Sequence, residues 1–177
     1  MFDDEIYRKL SEDEQHKELY AYFGLCIYYF QVLEHKLINM ILIIGKSRKI
    51  DMTPKEYDEL FYSFSDKTMG NLIQKIKEEY KLSKEDKKLL DFILKKRNYT
   101  AHHFFKDKIS DTFNLDGRIK LINELNDLIE KTQEIDSHLN TYIDDYLNKF
   151  GITKNILELE LEKFRKGDVE IDLKFEK

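Results

Sequence analysis

Apolar residues recur at three- and four-residue spacing over most of this chain, which is the period of an amphipathic α-helix. The first stripe follows Ser11-Glu12-Asp13-Glu14, which has the form of a capping box, and it ends near Gly45. Its apolar members are Leu19, Phe23, Cys26, Phe30, Leu33, Leu37, Ile41 and Ile44. The pattern therefore predicts a long helix that begins at Ser11 and packs in a bundle.

Two short helices are predicted after this stripe. Thr53-Pro54-Lys55-Glu56 is a second capping box with proline at the favoured first helical position, and it predicts a short helix through about Tyr62. The next predicted helix runs from about Asp66 to Tyr80 and carries apolar residues on one side. These residues are Met69, Leu72, Ile73 and Ile76.

Two longer helices complete the predicted bundle. Ser83-Lys84-Glu85-Asp86 caps a helix whose apolar arc continues to Phe105, and turn-forming residues predict a loop from about Asp107 to Asp116. The last stripe keeps the helical period to Phe150, where Gly151 is expected to stop it. With one Pro and six Gly in 177 residues, the chain is predicted to be an all-α bundle of three long and two short helices.

The C-terminal tail has a different period. Apolar and charged residues alternate on both sides of Arg165-Lys166-Gly167-Asp168, and this alternation around a turn signal predicts a β-hairpin. The alternating apolar residues are Leu157, Leu159, Leu161, Val169, Ile171, Leu173 and Phe175. A helix that continues through Phe164 is the alternative. The predicted organisation is a helical domain over residues 1–151 and a tail over residues 152–177.

The composition of the chain indicates where in the cell the protein is expected. The 41% of hydrophobic residues suffices for a buried core, and the single Cys26 excludes an internal disulfide, which suits a reducing cytoplasm. The first ten residues lack the apolar segment of a signal peptide. The run from Leu19 to Ile44 contains five polar residues, too many for a membrane span. We therefore expect a cytoplasmic protein without membrane contact.

Two charged residues interrupt the apolar faces of the predicted long helices. Glu34 lies within the first stripe near Phe30 and Ile41, and Arg97 projects from the middle of a later apolar arc. That arc contains Leu90, Ile93, Leu94, Ala101, Phe104 and Phe105. Because an isolated buried charge is costly, we expect Glu34 and Arg97 to pair, and breaking a buried pair typically costs about 3–5 kcal/mol.

Polar groups next to Arg97 form a candidate site. Asn98 and His102 are four residues apart and share one face at the edge of the apolar arc, whereas His103 lies on the far side beside Lys96. Arg97, Asn98 and His102 are therefore expected to line one cleft. On these residues alone, the favoured interpretation is structural, with an arginine paired to a glutamate and a histidine at the boundary of the core.

The sequence contains no Gly-rich phosphate loop, no His-x-x-x-His pair, no cysteine cluster and no Gly-x-Ser-x-Gly elbow. Metal enzymes and nucleotide-fold enzymes are therefore not indicated, and no cofactor or metal is expected. The run Arg97-Asn98-x-x-x-His102, on an amphipathic helix of a small all-helical chain, resembles the Arg-x4-6-His signature of the HEPN superfamily. The match includes the asparagine that follows the arginine.

The resemblance implies a fold and an activity. Many HEPN proteins are metal-independent endoribonucleases, often toxins or phage-defence factors, in which a homodimer faces two such motifs across one cleft; other members only bind. In this chemistry the 2′-OH attacks its own phosphate. The resemblance assigns proton transfer to His102, charge stabilisation to Arg97 and orientation to Asn98, with Glu34 and His103 in support. One helix does not readily supply both acid and base, so two His102 side chains would meet across the dimer.

An RNA substrate would need a local basic patch, because the net charge of the chain is −5. Lys95, Lys96 and Lys106 are the predicted substrate-binding residues. Other basic residues around the motif are Lys84, Lys87, Lys88 and Lys108, diluted by Glu85, Asp86, Asp91 and Asp107. A solvated helix face accounts for the same lysines equally well.

The sequence departs from one HEPN subgroup, in which the motif continues His-x-Tyr and a paired nucleotidyltransferase antitoxin modifies that tyrosine. Phe104 occupies the position here, so an antitoxin remains a partner of unknown identity. The alternative function is a non-catalytic helical dimer that binds protein or RNA, in which the tail hairpin recruits a partner by strand addition.

Overall fold

The computed structural model describes residues 2–48, 54–65, 67–149 and 151, and these residues form helices joined by short turns. The helices are α1 (Asp4–Tyr7), α2 (Glu12–Arg48), α3 (Pro54–Ser65), α4 (Met69–Glu79), α5 (Lys84–His102), α6 (Phe104–Thr112) and α7 (Leu115–Asn148). The prediction of an all-α chain is confirmed for this part of the sequence. The predicted hairpin of residues 152–177 lies outside the described residues.

The predicted helix starts are confirmed where the capping residues are described. The amide of Ser11 donates to Glu14 Oε2 at 2.9 Å, and the amide of Glu14 donates to Ser11 Oγ at 3.4 Å, which are the two bonds of a capping box. At the start of α5, the amide of Asp86 donates to Ser83 Oγ at 2.9 Å. Local side-chain chemistry therefore sets where α2 and α5 begin.

One predicted helix end is wrong and another is confirmed. Helix α2 continues through Gly45 to Arg48, because a glycine without a left-handed backbone does not end a helix and costs it only about 1 kcal/mol. Gly151, in contrast, has a φ of 72° and its amide donates to the Asn148 carbonyl at 3.2 Å, just beyond the end of α7. A left-handed glycine terminates this helix.

The predicted loop over residues 107–116 is wrong, because helix α6 occupies most of it. Asn114 lies between α6 and α7 and accepts a bond from the Gly117 amide at 2.7 Å. Buried Arg118 then donates to the Thr112 carbonyl at 2.8 Å and to Gln15 Oε1 at 2.6 Å. These contacts hold the C-terminal end of α6 in place, and they connect residues too far apart for a local pattern to reveal.

The helix that carries the candidate site ends earlier than predicted. Helix α5 ends at His102, and His103 has a non-helical backbone (φ −129°, ψ −18°) before α6 begins. The break brings two consecutive phenylalanines onto Phe23 of α2, with ring centroids of Phe104 and Phe105 at 5.8 and 4.8 Å.

The chain folds as two compact units. The first unit contains residues 1–36 and 83–136, and the second contains residues 37–82 together with the described residues from Ser137 onward. Every predicted site residue lies in the first unit. Its core includes Leu19, Cys26, Phe30, Leu33, Leu90, Ile93, Leu121, Ile122, Leu125 and Ile135. Burial raises the pKa of the Cys26 thiol to about 12, so this cysteine is an inert core residue.

The second unit has its own core. Leu37, Met40, Leu72, Ile73, Ile76 and Leu139 are among its buried residues. The Tyr80 hydroxyl donates to the Met40 carbonyl at 3.1 Å, and burial raises the pKa of this phenol. A neutral, hydrogen-bonded Tyr80 thus closes the end of α4 against α2 within the unit.

Helix α2 contains the most apolar stretch of the described chain. Its Glu12–Ile44 segment is long and apolar enough to cross a membrane by length and composition, and 44% of its most apolar window is buried inside the structure. A core helix of a water-soluble bundle meets the same criteria. The length and composition of α2 therefore do not distinguish a membrane span from a core helix, and the expected location of the protein stays a prediction.

Glycine is required where α6 and α7 meet. A Cβ placed on Gly117 would lie 2.1 Å from the Asp111 carbonyl oxygen, so Gly117→Ala should force the two helices apart and destabilise the fold by about 1–3 kcal/mol. Gly24 of α2 has no atom within 4 Å of the corresponding position. Gly24→Ala should therefore stabilise the protein by about 0.5–1 kcal/mol through helix propensity. Urea denaturation measures both changes, and equal effects of the two substitutions would contradict this account of Gly117.

Candidate functional site

Arg97 lies in the inward-facing stripe of α5. The buried residues of this helix are Asp86, Leu90, Ile93 and Thr100, and Arg97 continues their three- and four-residue spacing. Ala101, which the sequence placed in the apolar arc, is exposed, and buried Thr100 takes its place. Residues 100 and 101 lie at equal angles, about 50°, on either side of the centre of the stripe set by Leu90 and Ile93, so the helical period alone did not distinguish them.

The expected pairing of Glu34 with Arg97 is confirmed. Arg97 Nη2 lies 3.0 Å from Glu34 Oε1, between α5 and α2. The side chain of Glu34 is 19% exposed and that of Arg97 is 32% exposed. The pair is therefore at the edge of the core rather than inside it, so the stability it contributes should be lower than the sequence suggested.

Asn98 extends the ion pair toward solvent. Arg97 Nη1 donates to Asn98 Oδ1 at 3.3 Å, and the amide side chain of Asn98 is exposed. The guanidinium is thus held by a carboxylate on one nitrogen and by an amide on another. Within the described residues, the side chain of Asn98 makes no hydrogen bond to His102.

The two histidines stand at the C-terminal end of α5, and both are exposed. Their ring centroids are 6.3 Å apart, and the backbone N–H of His103 donates to the Tyr99 carbonyl at 2.8 Å. Five residues separate Arg97 from His102, which places them about 140° apart around the helix. The structure therefore brings Asn98 to Arg97 and leaves His102 on a different side of α5.

A cavity of about 350 Å³ opens on the outer face of α5. Its lining residues are Phe92, Lys95, Lys96, Tyr99, Lys108 and Glu124. Two of the predicted substrate-binding lysines, Lys95 and Lys96, are among them, while Lys106 lies exposed on α6 outside the cavity. Sequence reasoning did not assign Phe92, Tyr99 or Glu124. The helical spacing of residues 92, 95, 96 and 99 indicates that they share one face of α5. Glu124 comes from another helix, so no spacing in the sequence connects it with this face.

Glu124 organises the charge in this cavity. Its carboxylate lies 3.7 Å from Lys96 Nζ and accepts a hydrogen bond from Lys108 Nζ at 3.1 Å. That hydrogen bond raises the pKa of Lys108, and burial raises the pKa of Tyr99. Lys108 is therefore a fixed cation and Tyr99 a neutral phenol at physiological pH. Lys96 is only partly available to a ligand, because it is half-buried and already faces a carboxylate.

Metal chemistry has no candidate position in the described residues. No group of three or more His, Cys, Asp and Glu side chains there is arranged to hold a metal ion. Comparison of the sequence with protein-family models and with curated proteins, and of the structure with solved structures, finds no match. Any functional assignment therefore rests on the residues and geometry of the chain itself.

Removing the carboxylate of Glu34 should have an intermediate effect on stability. Exposed ion pairs contribute about 0–1 kcal/mol and the loss of one buried partner costs about 3–5 kcal/mol, so Glu34→Ala should cost about 1–2 kcal/mol in urea denaturation. Glu18→Ala is the matched control, since Glu18 is an exposed residue of the same helix. A change within 0.5 kcal/mol for both, the ordinary surface range, would show that the Arg97 contact contributes nothing.

Proposed function

We propose that this chain is a metal-independent endoribonuclease of HEPN type, similar to toxins or phage-defence factors, that acts on RNA in the cytoplasm. One observation carries the proposal. Arg97 is held by Glu34 and Asn98, and it lies on α5, the helix whose end exposes His102 and His103. A held guanidinium can stabilise the charge that develops on the phosphate, and a solvent-accessible imidazole can transfer a proton in this reaction.

The reaction proposed for this site leaves one cyclic product. The 2′-oxygen of a ribose attacks the adjacent phosphorus, the bond to the 5′-oxygen breaks, and the products are a 2′,3′-cyclic phosphate and a 5′-hydroxyl. His102 accepts the proton of the 2′-OH, and a second imidazole donates a proton to the leaving 5′-oxygen. Neither step needs a metal ion, because proton transfer and fixed charge suffice.

Arg97 and Asn98 would act on the phosphate. Glu34 occupies Nη2 and Asn98 accepts from Nη1, so the guanidinium is oriented before substrate arrives. With 32% of its side chain exposed, Arg97 retains N–H groups that can donate to a phosphorane oxygen. The exposed amide of Asn98 offers a further donor on the same side of the helix. Preorientation of this kind favours the transition state because no group has to be reorganised during the reaction.

A homodimer would supply the second imidazole. Arg97 and His102 are about 140° apart on α5, so one chain does not present both to the same phosphate, whereas two copies that meet at their motif helices do. Static light scattering at micromolar concentration should then report twice the 21.4 kDa of one chain. A monomer mass would contradict the composite cleft, and the same measurement after removal of residues 152–177 determines whether the tail contributes to assembly.

Substitution of the two histidines should separate chemistry from binding. His102→Ala and Arg97→Ala are expected to reduce the rate of RNA cleavage by about 10²–10⁴-fold, the usual contribution of an acid–base group. His103→Ala should mainly weaken binding, because His103 lies on the opposite edge of the helix, against Tyr99. Total cellular RNA, incubated with and without EDTA and analysed for cyclic phosphate ends, is the assay.

Three other outcomes of that assay would lead to different conclusions. If His103→Ala abolishes cleavage and His102→Ala does not, the working pair is Arg97 with His103. If cleavage stops in EDTA, the metal-independent mechanism is excluded. If no RNA is cut while the protein still binds RNA or a protein partner, the chain is a non-catalytic binding module, and the Glu34–Arg97 pair is structural.

A further inference from the structure

The outer face of α5 carries a row of aromatic and basic side chains that the proposed chemistry does not use. Phe92, Lys96, Tyr99 and His103 follow one another at three- and four-residue spacing, so they lie along one side of the helix. The Tyr99 and His103 rings are 6.3 Å apart, and Lys96 Nζ lies 5.8 Å from the Phe92 ring centre. At 1.5 Å per residue the row is about 16 Å long and ends at the histidines.

The charge of this face contrasts with that of the whole chain. Three lysines and one glutamate line the cavity, which leaves two positive charges in excess, whereas the chain has a net charge of −5. Asp107 and Asp111 lie near enough to influence Tyr99 and Lys108, and Lys120 Nζ is 3.2 Å from Asp111. The surplus is therefore local, and it adjoins two half-buried aromatic rings.

We propose that this α5 face binds a single-stranded segment of the RNA substrate, with a base stacked on Tyr99 and the adjoining phosphates on Lys95, Lys96 and Lys108. The proposal rests on the proposed endoribonuclease function, and it adds which part of the substrate is held and by which residues. Aromatic side chains interleaved with lysines in an open groove are the usual means of holding unpaired nucleotides. A duplex keeps its bases stacked inside and offers phosphates, 2′-hydroxyls and base edges but no free base face.

Glu124 allows a test in which RNA binding should become stronger, a result that a purely structural role of this residue does not predict. Its carboxylate competes with phosphate for Lys96 and Lys108, to which it lies at 3.7 and 3.1 Å. It follows that Glu124 weakens the binding of RNA while it holds the two ammonium groups in place. Replacing it with the isosteric amide should free both lysines and strengthen binding, and a loss of structure does not produce such a gain.

The experiment measures fluorescence anisotropy of a short labelled single-stranded RNA in the His102→Ala background, in which the probe is not cleaved. Tyr99→Leu should weaken binding at least about 5-fold, the low end for one stacked base, whereas Tyr99→Phe should leave it unchanged. Glu124→Gln should tighten binding about 5-fold, as expected for removal of one charge about 4 Å from another in water. Lys108→Gln should weaken binding and lower the salt slope by about 0.7.

The control variant is Lys149→Gln, which removes an exposed lysine in the other unit and should change neither affinity nor salt slope. A duplex of the same sequence should bind less tightly than the single strand. Equal affinity for the duplex, no effect of Tyr99→Leu, or no gain with Glu124→Gln would each overturn the proposal. Circular dichroism of every variant excludes unfolding as the cause of a loss.

Failure of this proposal is distinguishable from failure of the proposed function. If the parent chain cuts RNA and the three substitutions alter neither binding nor cutting, the face is not the binding site and the nuclease stands. If single-stranded RNA binds with the expected dependence on Tyr99 and Glu124 while no RNA is cut, the binding site stands and the nuclease fails.

Discussion

The contact between Glu34 and Arg97 is the constraint on which the arrangement of the candidate site depends. The inward-facing stripe of α5 includes Arg97, and at the edge of the core Glu34 of α2 meets its guanidinium, which lowers the cost of placing this charge against α2. A second contact joins Phe104, at the start of α6, to Phe23, which lies nearer than Glu34 to the N-terminal end of α2. From the first contact to the second, residue numbers rise along α5 and α6 and fall along α2. The two contacts therefore fix an antiparallel register of α5 and α6 against α2.

This register determines what the end of α5 presents to solvent. The chain leaves the α5 helix at His103, after which Phe104 is buried and Phe105 packs on the ring of Phe23. The break therefore ends α5 immediately after His102, and both imidazoles stay exposed at a helix terminus rather than along a packed face. The histidines therefore lie between the ion pair of Arg97 with Glu34 and the aromatic contacts at the start of α6.

The sequence predicted the features that local patterns reveal, together with one long-range ion pair. The caps at Ser11 and Ser83 and the partnership of Glu34 with Arg97 follow from local spacing, helical period and the cost of a lone buried charge. Helix α6 did not follow, because its turn-forming residues also suit a loop. Arg118, which donates to its Thr112 carbonyl, also donates to Gln15, a residue distant in the sequence. Glu124 was invisible for the same reason, since it meets Lys96 and Lys108 only after α7 has packed on α5 and α6.

The two candidate faces of α5 point in opposite directions, and this limits how one RNA strand would use them. Arg97 and Tyr99 are two residues apart, which is about 200° around the helix, so a strand stacked on Tyr99 does not contact the arginine of the same chain. Such a strand leads along the outer face to His103 and His102 at the helix end. Under the proposed function, the guanidinium at the scissile phosphate must then come from a second copy, whose Arg97 is held on its open side only by Asn98. If both faces act on one strand, as the proposed function and the proposed binding face require, their separation is a geometric reason for a composite site.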